Sequence, residues 1–160
     1  MKSLQVWLEE YGESHQNKTN IIIHKICVPL IFISIYFILF SLPFPLDKSM
    51  YFNWGNVTYI LALVFWFRIN VKLGFAFLLF GFILAFTTFV IWVVWFYLSE
   101  RAMLRYSLIV FVVAWIGQFI GHHIEGKKPS FIKDLQYLLI GPIWVVYPRR
   151  EIKRSLDFDS

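Results

Sequence analysis

From Leu73 to Leu98 the chain carries no charged residue, and about 20 apolar residues in a helix already cross the hydrocarbon core of a bilayer. A water-soluble domain of this size needs polar surface to cover its core. This chain is 59% hydrophobic and only 16% charged, so lipid must be the solvent for much of it. In lipid every backbone N–H and C=O must be satisfied inside the chain, which favours helices. Leu73–Leu98, with Thr87 and Thr88 at its middle, reads as one tilted span or a broken pair.

The remaining apolar runs follow the same logic. Ile26 to Leu42 is interrupted only by Ser34 and Ser41 and stops at Pro43-Phe44-Pro45, which cannot continue a helix. Val57 to Phe67 ends at Arg68 and is short for a span unless it begins near Trp54. Ser99 to Arg105 reads as a charged turn, followed by an apolar helix from Leu108 to Ile120. Leu135 to Val146, with Gly141-Pro142 inside it, is short and reads as a re-entrant or interfacial helix. At the N-terminus, Leu4, Trp7, Leu8 and Tyr11 recur at i, i+3, i+4 and i+7, the pattern of an amphipathic interfacial helix. Its neighbours Glu9, Glu10 and Glu13 do not suit a cleavable signal peptide. The expected fold is an all-α, polytopic membrane bundle of about four transmembrane helices forming a single domain over residues 1–160.

Net charge is +5, but the basic residues flank apolar segments instead of building a basic face, so membrane orientation explains them better than nucleic acid does. With both termini in the cytoplasm and four spans, only Lys48, Arg101 and Arg105 of the 15 basic residues fall on the far side. The same topology returns the chain to its starting side where His122 and His123 occur, and His15 and His24 already lie there. All four histidines of the chain then gather at one membrane boundary. Cys27 is the only cysteine, which excludes an intramolecular disulfide and a thiolate zinc site and leaves imidazole as the candidate metal donor.

His15 and His24 are nine residues apart, so an unbroken helix places them on opposite faces. Asn17, Lys18, Thr19 and Asn20 favour caps and turns, and a helix break there lets both histidines meet one ion. Asn20 precedes His24 by four and shares its face, where it can orient the imidazole. Glu125, three after His122, can ligate the metal, accept a hydrogen bond from a ligand, or pair with Lys127. His123 points about 100° away from His122, so both join one ion only where the helix unwinds, and Gly121 and Gly126 allow that. His15, His24, His122 and His123 are therefore the candidate metal ligands, with Asn20 and Glu125 the candidate catalytic residues beside them. Gln118, Lys127 and Lys128 are candidates for holding an acidic substrate group.

Two blocks carry a resemblance: Tyr11-x3-His15-x4-Asn20-x3-His24-x4-Pro29, and Trp115-x2-Gln118-Phe119-x-Gly121-His122 followed by Glu125 and Pro129. Together they resemble the membrane-bound 2-hydroxy fatty acid dioxygenases over nearly the whole chain. The resemblance implies Fe(II) and O2 as the cofactor and co-substrate, and removal of one carbon from 2-hydroxy fatty acids in fatty acid α-oxidation. In fungi that step serves phytosphingosine breakdown. It implies roles for His15, His24 and His122, with Asn20, Gln118, Glu125 and Pro129 at the other marked positions. His123 departs from the fungal pattern, where a glycine follows the Gly-His pair and one more residue precedes the glutamate. The residues alone leave open a zinc-dependent membrane hydrolase and a non-enzymatic metal- or lipid-binding protein, and they leave a homo-oligomer open. The implied location is a multi-pass protein of the bacterial inner membrane or the endoplasmic reticulum.

Overall fold

The computed structural model describes residues 4–12, 15–46, 49–95, 100–126, 137 and 139–146. Its helices are α1 (Leu4–Gly12), α2 (Lys18–Ser41), α3 (Trp54–Ile69), α4 (Val71–Trp95), α5 (Glu100–Glu125) and α6 (Gly141–Val146), and no strand occurs among the described residues. α2, the Val71–Val90 part of α4 and the Ala102–Glu125 part of α5 are long and apolar enough to cross a membrane. α3 is apolar but has 16 residues, about 24 Å of helix at 1.5 Å per residue and short of a full bilayer core. The protein is thus an all-helical membrane protein.

Several boundaries differ from those read off the sequence. α2 begins at Lys18, well before Ile26, and α3 begins at Trp54. α4 is one continuous helix through Trp95 and not a broken pair. Glu100–Arg105, expected as a turn, forms the start of α5; Glu, Arg, Met and Leu are all good helix formers, and no Gly or Pro intervenes to stop them. Ser99 lies outside the described residues, as do Leu135, Gln136 and Leu138 of the C-terminal segment. α5 also does not unwind at His122-His123. It runs on to Glu125 and stops at Gly126, whose φ of 73° is the left-handed conformation of a helix C-cap.

Two compact units divide the chain, one of residues 1–32 with 113–160 and one of residues 33–112. In the second unit α3 and α4 form a helical hairpin around Asn70. The Asn70 N–H donates to the Trp66 carbonyl (2.9 Å), closing α3, while its side-chain Oδ1 accepts from Leu73 N (3.2 Å), capping α4. Trp66, fully buried, stacks on Phe77 at 3.5 Å between ring centroids. The Tyr59 hydroxyl donates to the Phe77 carbonyl beside Gly81, where a Cβ would lie 2.7 Å from the tyrosine ring. Tyr36, Phe37, Phe40, Leu84 and Met103 form the core of this unit.

The first unit holds α1, the N-terminal part of α2, the C-terminal part of α5 and α6. α1 turns Leu8 and Tyr11 inward, and Tyr11 meets Trp144 of α6 edge-on at 5.2 Å. On α2 the buried positions Asn20, His24, Cys27 and Ile31 recur at helical spacing, and on α5 Ala114, Gln118, Gly121 and His122 do the same. A polar residue on each of these buried faces is what makes the unit more than packing.

Because Asn70 closes one helix and opens the next, replacing Asn70 by Ala is expected to lower stability by about 1 kcal/mol. Asp at the same position should recover most of it. Reversible unfolding in mixed micelles against rising denaturing detergent measures both, and an Ala variant as stable as the parent would show that the cap contributes nothing.

Candidate metal centre

The centre is built where α1 ends and α2 begins. α1 leaves its last carbonyls without helical partners, and two of them are taken up by the residues that follow. The Gly12 carbonyl accepts from His15 N (3.0 Å) and from Gln16 Nε2 (2.6 Å), while the Tyr11 carbonyl accepts from His15 Nδ1 (2.6 Å). His15 to Asn17 lie outside both helices, so a break between His15 and His24 is present, although Lys18, Thr19 and Asn20, expected within it, form the first turn of α2. Asn17 then caps α2, its Oδ1 accepting from Thr19 N at 2.9 Å. His24 follows nearly two turns into α2, and its Nδ1 lies 3.0 Å from the Asn20 carbonyl.

A carbonyl oxygen can only accept, so Nδ1 carries the proton in both His15 and His24. In the neutral ring this leaves the lone pair on Nε2, the tautomer in which metal-binding histidines are usually held. The same device serves both residues, since each histidine bonds the carbonyl of the residue four before it. Tyr11 also stacks on His15, with ring centroids 4.2 Å apart and 14° between planes.

His122 reaches the same place from α5 because that helix approaches α2 closely. Gly117 and Gly121 lie one turn apart on the contact. A Cβ at Gly117 would stand 2.6 Å from Cys27 Sγ. A Cβ at Gly121 would strike Asn20 Oδ1 and stand 3.1 and 3.2 Å from Cε1 and Nδ1 of His24. The small-xxx-small pattern thus lets two backbones meet where side chains would hold them apart.

His15, His24 and His122 are all buried, and one ring nitrogen from each lies within 4.8 Å of the other two, close enough to hold one metal ion. Ring centroids are 4.2 Å apart for His15 and His24, 4.9 Å for His24 and His122, and 5.6 Å for His15 and His122. Trp144 of α6 closes on His15 at 5.0 Å. Three buried imidazoles, two of them fixed in the ligating tautomer, fit a borderline divalent metal such as iron or zinc.

A family model described as 2-hydroxy-palmitic acid dioxygenase Mpo1-like matches residues 1–149. The chain belongs to the Mpo1-like family. Comparison with curated proteins and with solved structures gives no match.

In this Mpo1-like chain the expected site residues separate into distinct places. His15, His24 and His122 come together. His123 does not join them: with α5 helical through Glu125, its side chain is turned one position around the helix and is exposed. Asn20 is fully buried between His24 and Glu125, giving its carbonyl to the imidazole and its amide N–H to the carboxylate. Glu125 stands outside the histidine cluster and accepts from Gln16 N (2.8 Å), Asn17 N (2.9 Å) and Asn20 Nδ2 (2.9 Å). Gln118 is buried on α5 one turn before His122. Lys127 and Lys128 lie outside the described residues. The sequence reading did not pick out Trp144, which borders His15; nothing in the local sequence marks it apart from the Gly141-Pro142 before it. Nor did it find the backbone N–H groups of Gln16 and Asn17.

Since the helices touch at Gly121 with no room for a methyl group, Gly121→Ala is expected to cost about 1–3 kcal/mol of stability, the usual range for overpacking. Unfolding in mixed micelles measures it. An unchanged midpoint would mean that α2 and α5 separate there without loss.

Proposed function

We propose that this chain is an Fe(II)-dependent dioxygenase that shortens 2-hydroxy fatty acids by one carbon, the step of fatty acid α-oxidation. The observation that carries the reading is the cluster of His15, His24 and His122 inside a chain matched over residues 1–149 by the family model. His15, His24 and His122 would hold the ion. When bound, iron supplies a site where O2 and a chelating hydroxy acid are activated together.

The chain's own residues account for binding and exclusion. His15 and His24 are held in the ligating tautomer by the Tyr11 and Asn20 carbonyls. Tyr11 and Trp144 border His15 with apolar ring surface that keeps water away. Among the described residues the cluster contains no carboxylate, so three neutral imidazoles leave the charge of a divalent ion uncompensated. That favours a substrate bringing its own negative charge, as a 2-hydroxy acid does. Gln118 on the buried face of α5 and the cations Lys127 and Lys128, which follow soon after in sequence, are the residues we assign to the substrate carboxylate.

The reaction balances without an outside reductant. The C1–C2 bond breaks, C1 leaves as CO2, C2 becomes the new carboxyl carbon, and O2 is reduced to water and carboxyl oxygen by electrons from those two carbons alone. The alkyl chain lies against apolar helix surface. The asymmetry of basic residues supports a topology with both termini on the cytoplasmic side, in a bacterial inner membrane or the endoplasmic reticulum.

Detergent-purified protein stripped with a chelator, reloaded with Fe(II) or Zn(II) and incubated in air with 2-hydroxypalmitate tests this. Expected is the one-carbon-shorter acid with iron and oxygen only, and loss of both iron and product in His24→Ala. Product formed equally well with zinc, or a His24→Ala protein that keeps its iron and activity, would overturn the assignment. A chain-length series gives a second measure. Each added CH2 should tighten binding by about 0.8 kcal/mol, or about fourfold in Kd, and a flat series would mean the alkyl chain is not held by the protein.

A further inference from the structure

Glu125 is the acidic residue nearest in sequence to His122, yet it spends its lone pairs elsewhere. Oε1 accepts from the backbone N–H of Gln16, and Oε2 accepts from the backbone N–H of Asn17 and from Asn20 Nδ2. Gln16 follows His15 directly. Asn20 is the residue whose carbonyl fixes His24. Glu125 itself sits one turn beyond His122 on a continuous helix. One carboxylate therefore touches the chain next to each of the three histidines.

We infer that Glu125 is a positioning residue, a clasp that sets the spacing of His15, His24 and His122, and that it is neither a metal ligand nor a proton carrier. This rests on the reading that those histidines hold a metal. The chemistry of the partners explains why a carboxylate is needed. The N–H groups of residues 16 and 17 come just before α2, outside its ladder of backbone hydrogen bonds. Asn17 Oδ1 is already engaged with Thr19 N. A negative charge at this end of α2 also meets the positive end of its dipole, and bonds from N–H groups to an ionised carboxylate are stronger than neutral ones. Removing the carboxylate releases the link that carries His15 from the helix that carries His122. His24 and its tautomer stay in place, because the Asn20 carbonyl is part of α2.

A ligand or a general base would behave otherwise. A ligand would alter the spectrum of the bound ion when lost, and a base would abolish turnover even with the site full. A clasp changes affinity and leaves both.

The test is cobalt(II) titration of the chelator-stripped full-length protein, read by its visible absorption, for the parent and for Glu125→Ala, Glu125→Gln, His24→Ala and His122→Ala. Expected is a 10- to 100-fold weaker affinity for Glu125→Ala, with the parent's band positions once cobalt is saturating. Glu125→Gln keeps one acceptor oxygen and should lie between the two. Should the Ala protein fail to fold, the Gln variant alone decides, by the same shift in affinity. Saturated with Fe(II), Glu125→Gln is expected to turn over within a fewfold of the parent. Unchanged cobalt affinity in both Glu125 variants, shifted bands at saturation, or lost turnover with iron bound would each overturn the clasp while leaving the histidine site standing. Parent protein that binds no cobalt, or binding that survives in both histidine variants, would instead remove the metal reading and the clasp together.

Discussion

The approach of α5 to α2 at Gly117 and Gly121 sets the distance on which the centre depends. Lipid gives apolar helices no hydrophobic reason to associate, so contact between them comes from close packing and from polar groups that find partners. Both occur on the same faces here. Cys27 fills the space left by Gly117, and Asn20 and His24 fill the space left by Gly121. A bulkier residue at either position would move His122 away from His24 before it changed any ligand. Two glycines with no chemistry of their own thus belong to the site as surely as the imidazoles do.

The second constraint is the cost of an unsatisfied backbone group near lipid. A helix interior satisfies its own backbone, and the hydroxyls of Thr87 and Thr88 donate back to the carbonyls of Ile83 and Leu84. Helix ends are different. Where α1 ends and α2 begins, the described carbonyls of Tyr11 and Gly12 and the N–H groups of residues 16, 17 and 19 are met by residues of the centre or its neighbours: His15 and Gln16 on the carbonyls, Asn17 and Glu125 on the N–H groups. The groups that cap the helices also hold the histidines, so folding this link and shaping the site are one event.

This explains what could be read from the sequence. Apolar runs marked α2, α4 and α5 because lipid leaves no alternative to a helix, and Asn17 marked the start of α2 because it prefers a cap, although Lys18, Thr19 and Asn20, expected in the break, lie inside the helix. His123 was misread as a ligand because Gly121 and Gly126 were taken to let the helix unwind; α5 stays helical through Glu125, and about 100° of rotation turns His123 away. The start of α5 was misread because charge was taken for a turn signal, although Glu100, Arg101 and Arg105 are compatible with a helix. Glu125 could be recognised as a site residue but its partners could not: Gln16, Asn17 and Asn20 lie more than a hundred residues away in the chain, and only the packing of α5 on α2 brings them to it. Trp144 was invisible for the same reason.

Charge ties these features to the proposed chemistry. A carboxylate ligand would have reduced the charge that a divalent ion presents to substrate; in this chain the neighbouring carboxylate is drawn off by three N–H donors, and the ligand set is left neutral. In a buried setting of low dielectric an uncompensated charge is expensive, and an anionic hydroxy acid relieves that cost by binding. Preference for a free acid over a neutral ester or amide then follows from the neutral ligand set together with Gln118, Lys127 and Lys128, the residues proposed for the substrate carboxylate. The clasp that spaces the histidines gives its oxygens to N–H groups and so leaves the ion to the substrate's own donors.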